Sequence, residues 1–513
     1  MSVSDRKTIT TKSKEQTQGV ATFPAFLCCL LFGMGIFLFA VTFFAKIHPL
    51  VPYDMDDWLY VGWRRNAYPI WKDWNPARVF PETFMSLVSD FGVHVLMPLF
   101  RMDYIHALIL AHAVSVASFI TLYIMMFRRF LKERTGISDA AVYGLTLLFL
   151  LFHFSVLRRQ YNGNQHLFWT FNVTGYYYYV IPNLMNAALA LYFGAKGYAG
   201  IRDLSPIRKG MLLLGIYLTV FSNLFSSIIL VAPIAGSVLC EAYICHKRKN
   251  QSLIQYLRKE CWQLLVLVFW LISLIYEANG GRAGGAGAFA LQDSIAGFLA
   301  WGGRLNLQTM ALSALIIGAG IGSCLYNSKK KKKEALPAVK QLPGSVFCLI
   351  VCAVFEILLC AKVGTDKLEI CRVIFSVFFY AFMIVFVFAA EILQRIPKAL
   401  ILLPLILYVL LMNTRMGERI FLEENGINLD AKLCIAIDQD ILDQIVAADR
   451  AGLLEAVIQV PLEEDQEQEN WPHVIRMGSA LSQTLYKHGI ISRRIELEIQ
   501  PDHAMNERFG LPY

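Results

Sequence analysis

Apolar runs of about 20 residues, separated by short polar segments, recur from Thr22 to Asn413. A helix of that length crosses the hydrocarbon core of a bilayer and satisfies its own backbone hydrogen bonds. The pattern predicts spans at 22–45, 104–127, 138–157, 176–195, 211–223, 226–245, 261–277, 306–326, 343–361, 369–391 and 398–413. The run Met211–Cys245 reads as two passes because both its flanks are basic, with Ser222-Asn223 and Ser226-Ser227 forming the hairpin between them.

After Asn413 the pattern changes. Leu433–Ile437 and Ala456–Val460 read as strands, Gln439–Arg450 and Ile475–Tyr486 have helical apolar spacing, and Arg494–Ile499 alternates as a half-buried strand does. The expected fold class is therefore an all-α polytopic membrane protein with about eleven transmembrane helices and a small α+β extracytoplasmic C-terminal domain. The expected divisions are a cytoplasmic tail at 1–21, a transmembrane domain at 22–413 whose first extracytoplasmic loop is 46–103, and a C-terminal domain at 414–513.

Charge sets the expected orientation. Lys and Arg gather in Arg128–Arg134, Lys196–Lys209, His246–Lys259, Lys329–Lys340 and Arg395–Lys398, and the polar N-terminus carries Arg6, Lys7, Lys12 and Lys14. Basic loops stay in the cytoplasm, so the N-terminus faces in and an odd number of passes leaves the C-terminus out. The apolar run beginning at Thr22 is too long for a cleaved leader and reads as a retained first span in the cell membrane.

Composition narrows the function classes. The chain of 513 residues is 56% hydrophobic and 17% charged, which excludes a soluble oxidoreductase. The net charge of +8 resides in short loops with no continuous basic face, which argues against nucleic-acid binding. Ten of the eleven cysteines lie in or beside apolar runs, and no Cys/His metal spacing occurs.

Candidate chemistry gathers in the predicted outside loops. Tyr53-Asp54-Met55-Asp56-Asp57 places three carboxylates within four residues, an arrangement that is solvated, metal-bound or facing cations. In glycosyl transfer from a phosphate-linked donor, one carboxylate takes the proton of the acceptor hydroxyl and a second orients a cation or the acceptor. The catalytic candidates are Asp54, Asp56 and Asp57. No cofactor is demanded, and Mg or Mn would sit on Asp56 and Asp57 if transfer needs a metal.

After this motif Arg64, Arg65, Lys72 and Arg78 interleave with Trp58, Tyr60, Trp63, Tyr68, Trp71 and Trp74. These fit either an interfacial belt or an amphipathic helix on the membrane surface that holds a lipid phosphate. Arg158, Arg159 and His166 in the second outside loop, Arg282 after Asn279-Gly280-Gly281, and Lys362, Lys367 and Arg372 around the fifth supply further cations. Arg65, Arg158, Arg159, Arg282, Lys367 and Arg372 are the candidate phosphate ligands. The run Tyr176–Tyr179 offers an aromatic wall suited to sugar faces, so Trp58, His166, Tyr178, Tyr179 and Asn183 are the candidate sugar or acceptor contacts. Glu356, inside a predicted span, is expected to pair with a facing cation or to line a polar cavity.

Taken in order, Tyr53-Asp54-Met55-Asp56-Asp57-Trp58, the segment Trp169…Thr174-Gly175…Tyr178-Tyr179-Val180-Ile181-Pro182, and Asn279-Gly280-Gly281-Arg282 resemble the GT-C glycosyltransferase superfamily. More narrowly they resemble the bacterial GtrII-like membrane glucosyltransferases and related uncharacterised bacterial families, as do Val460-Pro461, Trp471 and Tyr486-Lys487-His488-Gly489-Ile490 in the tail. The resemblance implies a bacterial enzyme taking a monosaccharide from a polyprenyl-phosphate donor to a surface glycan, glycolipid or wall polymer. Asp56 or Asp57 would be the base and outside cations would hold the donor phosphate. Because Asp54 precedes the paired acidic motif, which carboxylate acts stays open. A transporter or flippase, an envelope polysaccharide polymerase or ligase, and a non-catalytic scaffold are the competing readings. No internal repeat supports the transporter.

Overall fold

The computed structural model of the chain describes residues 23–52, 55–63, 76–158, 166–170, 172–248, 261–279, 288–330, 337–340, 342–414, 420–422, 428–462 and 477–511. Its helices are α1 (Phe23–Thr42), α2 (Met55–Gly62), α3 (Val79–Phe91), α4 (Tyr104–Thr135), α5 (Asp139–Ser155), α6 (Ile181–Arg202), α7 (Pro206–Val220), α8 (Leu224–Arg248), α9 (Cys261–Ala278), α10 (Leu291–Arg304), α11 (Leu307–Lys330), α12 (Leu342–Val363), α13 (Phe375–Arg395) and α14 (Leu403–Met412). The tail adds β1 (Ile420–Leu422), β2 (Asn428–Asp430), α15 (Ala431–Arg450), β3 (Glu455–Pro461), α16 (Gly478–Lys487), β4 (Glu496–Asp502) and α17 (His503–Phe509).

Local chemistry sets the helix limits. The side chain of Asp103 accepts the His106 amide at 3.0 Å to start α4, which ends at Gly136 with φ +63 after the basic pair Lys132 and Arg134. Ser138 caps α5, and Lys132 reaches Asp139 at 2.8 Å across the turn. Ser205 and Pro206 open α7.

Two helices organise the bundle. α4 is packed by α1, α3, α5 and α6, and α13 by α8, α11 and α12. Between them stand interlocked rings: Phe127 stacks on Phe149 at 3.7 Å, and Phe386 meets both edge-on.

Among the described residues seven helices are long and apolar enough to cross a membrane, which makes the chain a helical membrane protein. Six of the seven, all but Val79–Phe100, coincide with predicted spans. Asp139–Ser155, Trp262–Ala278 and Pro397–Met412 are shorter apolar helices at three further predicted positions. The remaining two fall on α6 and α7. The first is polar inward, where Asn186 Nδ2 donates to the Pro182 and Thr219 carbonyls, a face that only a surrounding bundle satisfies.

Three expectations are corrected. The predicted first outside loop contains α3, which a π-helical turn at Gly92–Leu96 and a last turn at Met97–Phe100 extend. Phe80 and Phe84 meet Phe119 of α4, and Ser89 meets His112, so α3 runs antiparallel along the first half of α4. Leu87, Phe91, Val95 and Leu99 form an exposed apolar stripe at i, i+4 spacing. Sequence reading missed this helix because the acidic motif and the aromatic segment before it dominated the loop. Leu433–Ile437 belongs to α15 and is not a strand. Five residues fit either period, whereas the burial of Cys434, Ile437, Ile441, Leu442 and Ile445 follows the helical one. Glu356 meets no cation among the described residues: Ser376 Oγ donates to its Oε1 at 3.1 Å.

The other tail elements lie where the pattern put them. β3 pairs in parallel with β4, Ile458 opposite Ile499. The tail docks on α2 and α4: Thr484 Oγ1 donates to the Trp58 carbonyl at 2.6 Å, Lys487 Nζ to the Gly62 carbonyl at 2.9 Å, and Tyr104 Oη hydrogen-bonds His488 Nδ1 at 2.7 Å.

Candidate functional site

The acidic motif opens α2, and its two described carboxylates differ. Asp56 is exposed. Asp57 is sealed from solvent, and its carboxylate accepts the amides of Val173 at 3.1 Å and Thr174 at 2.6 Å, together with Thr174 Oγ1 at 2.6 Å. Asn172 Oδ1 takes the Gly175 amide at 2.8 Å, so the turn that begins the tyrosine segment is capped twice.

The expectation of Asp57 as the base is corrected by this geometry. A base must reach the proton that it removes, and Asp57 is sealed from solvent with its oxygens turned to the Val173 and Thr174 amides. Among the described residues no group of three His, Cys, Asp or Glu side chains is placed to hold a metal ion. Asp54, Arg65, Arg159 and Arg282 lie outside the described residues, as do Arg64, Lys72, Tyr68, Trp71 and Trp74.

Three of the predicted outside loops, the Ser222–Ser227 hairpin and the start of the predicted span 176–195 meet at one end of the bundle. There a cavity of about 330 Å³ is lined by Arg78, Tyr178, Tyr179, Asn223, Glu277, Lys362 and Lys367, with Leu224, Phe225, Leu274, Leu359 and Val363 as its apolar wall.

Arg78 is the anchor. Its Nε donates to Glu277 Oε1 at 2.9 Å and its Nη2 to Oε2, a bidentate pair between residues 199 apart. The backbone of Arg78 is left-handed, φ +62, a strained conformation for a residue with a Cβ. It is held because its amide donates to the Phe221 carbonyl at 2.8 Å and its own carbonyl takes the Glu82 amide at 3.1 Å. Lys367 is paired with Asp366 at 2.8 Å. Lys362 is exposed and has no ion-pair partner among the described residues, so it is the uncompensated cation of the rim.

The tyrosine wall is fixed from several sides. Asn223 Nδ2 donates to the Tyr178 carbonyl at 2.6 Å, and the Tyr60 ring lies 5.4 Å from that of Tyr178. Asp56 sits one helical turn before Tyr60, on the face of α2 that meets Tyr178. The guanidinium of Arg372 lies 5.1 Å from the Tyr179 ring centre, a cation–π contact behind the wall.

Several predicted contacts take other positions. Asn183 is buried, and its Nδ2 donates to the Arg372 carbonyl at 2.7 Å, so it braces the wall from behind. Trp58 is buried against the tail and offers no face to a sugar. Arg158 is exposed, its amide bonded to the Arg304 carbonyl at 2.7 Å, and it is not among the lining residues. His166 is buried among the rings of Phe43, Phe154 and His48, and burial pushes its basicity well below the ordinary imidazole value. It serves as a packed core residue.

Sequence reading placed Arg78 in the first predicted outside loop and missed its pairing with Glu277. The available signal was a charge at the edge of each of two apolar runs. The arrangement can hold an amphiphile: apolar side chains on one wall, cations at the rim and hydroxyl-tipped rings between. Comparison with protein-family models, with curated proteins and with solved structures finds no match to this chain.

Proposed function

We propose that this chain is a GT-C-like membrane glycosyltransferase that moves a monosaccharide from a polyprenyl-phosphate donor to a surface glycan, glycolipid or wall polymer. The observation that carries the reading is the cavity in which Arg78, Lys362 and Lys367 stand against an apolar wall and the tyrosines Tyr178 and Tyr179. An isoprenoid phosphate has the same division into an apolar chain and an anionic head.

In this reading Lys362, exposed at the rim, takes the phosphate first, and Arg78 is held in reach by Glu277. The tyrosines stack on the sugar. Asp56, on the helix face turned toward Tyr178, accepts the proton of the incoming hydroxyl as that oxygen bonds to the anomeric carbon and the phosphate leaves. Asp57 positions α2 against the tyrosine segment. The eleven-pass topology, a cytoplasmic N-terminus and an extracytoplasmic cavity in a bacterial membrane belong to the same proposal, since the basic segments lie in the loops that the cavity does not use. The division into tail, transmembrane domain and C-terminal domain goes with it.

The test is incubation of the purified protein with a panel of polyprenyl-phosphate sugars and an acceptor glycan, reading release of free polyprenyl phosphate. Release that disappears in Asp56→Asn and falls at least tenfold in Lys362→Gln supports the proposal. Wild-type protein that releases nothing from any donor, or an Asp56→Asn protein as active as wild type, overturns it. Uptake of an intact lipid-linked sugar without release would favour the transporter instead.

A further inference from the structure

A second and larger cavity, about 760 Å³, lies at the other end of the bundle among α4, α6, α8, α12 and α13. Phe130, Phe193, Leu230, Ile234, Phe347 and Met383 make most of its wall. Its volume is in the range of about 300–1,000 Å³ typical of ligand sites.

The reason for the void is legible in the residues. Gly194, Gly197, Gly236 and Gly344 line it and contribute no side-chain volume. Gly197 leaves the helical conformation at φ +69, and Pro233 removes an amide from the ladder of α8. The opening is lateral: Leu239 and Tyr243, also lining residues, are 64% and 63% exposed on the outer surface of α8. In a helical membrane protein that surface meets lipid chains.

One lining residue is a full cation. Arg134 stands in the last turn of α4, and its Nε donates to the Gly194 carbonyl at 2.6 Å. Among the described residues it makes no ion pair. Lys196 follows on the same stretch of α6. An apolar cleft open sideways, with a guanidinium at the end of one of its helices, matches one chemical class.

We propose that this cavity binds an anionic phospholipid, one acyl chain lying in the cleft and the phosphate on Arg134. The inference does not depend on the transferase reading, because none of these residues lines the Arg78 cavity.

The experiment uses the full-length purified protein, delipidated in detergent and titrated separately with dioleoylphosphatidylglycerol and dioleoylphosphatidylcholine under native mass spectrometry. Phosphatidylglycerol is expected to bind at least tenfold more tightly. Arg134→Gln is expected to abolish the preference, and Gly344→Leu, whose added side chain meets open space, to lower occupancy by both lipids at least tenfold. A melting temperature within a few degrees of wild type is the check on folding. Equal binding of the two lipids by wild-type protein overturns the proposal. Gly344→Leu protein with full occupancy does so too, and that test stands even if Arg134→Gln does not fold.

Discussion

Asp57 and Thr174, 117 residues apart, are joined twice: the Thr174 amide and hydroxyl each donate to Asp57 Oδ1 at 2.6 Å. An anion at the start of a helical turn satisfies amides that have no other partner. The pair fixes the helix that carries Asp56 to the segment that carries Tyr178, so one carboxylate of the motif is buried as a strut while its neighbour is exposed.

That division predicts opposite phenotypes for adjacent residues. Asp57→Asn keeps the shape but puts an NH₂ donor in place of one of the two accepting oxygens, facing at least the Val173 amide that donates to Oδ2. Loss of a buried charge-assisted bond costs about 2–3 kcal/mol, visible as a lowered melting temperature in detergent. Asp56→Asn, exposed, is expected to melt as wild type does while losing transfer. Equal melting of both variants would contradict the assignment.

The Arg78–Glu277 pair is mostly buried, with side chains 23% and 17% exposed. Removing one member leaves the other charge partly desolvated, so Glu277→Gln and Arg78→Gln are each expected to destabilise by about 1–3 kcal/mol. A double-mutant cycle read by thermal unfolding tests this: the double variant should be less damaged than the sum of the single ones. Additive losses would mean that the pair is not coupled.

Gly62 holds the docking of the tail. A Cβ there would run into Thr484, whose Cα lies 2.7 Å from the ideal Cβ position. Gly62→Ala is expected to push α16 off α2, raising protease cleavage of the tail while the bundle melts near its usual temperature. Thr484→Ala, which loses only the bond to the Trp58 carbonyl, should show a weaker effect.

His48 gives the fold a pH dependence. Burial lowers its pKa from the ordinary imidazole value of 6.5 to about 4. Between those values the unfolded chain binds a proton that the folded chain excludes, so stability falls as pH drops from about 6.5 to about 4. The loss from this group is about 3 kcal/mol. His48→Phe should flatten that part of the melting-temperature profile, and a profile as steep as wild type would show that other groups carry it.

How much was legible follows from the range of each interaction. The apolar runs of α1, α4, α12 and α13 were readable because membrane spanning depends on local composition over one segment. β3, α16 and β4 were readable because their burial follows the period of their own residues. The gathering of the polar motifs at one end was partly readable, since alternation of basic and other loops sorts them by side.

The partners were not readable. Asp57 looks the same in sequence whether its carboxylate faces solvent or caps a turn 117 residues away. The pairing of Arg78 with Glu277, the bracing of Arg372 by Asn183 and the lipid-facing cleft beside Arg134 likewise come from distant segments packed side by side. Sequence by itself determined a helical membrane protein with its chemistry-bearing residues in the connecting loops, because helix formation and hydrophobicity are properties of neighbours along the chain. Only the tertiary structure decided which of those residues are buried as struts and which line a cavity, because burial and hydrogen-bond partnership depend on contacts between segments that the chain order does not encode locally.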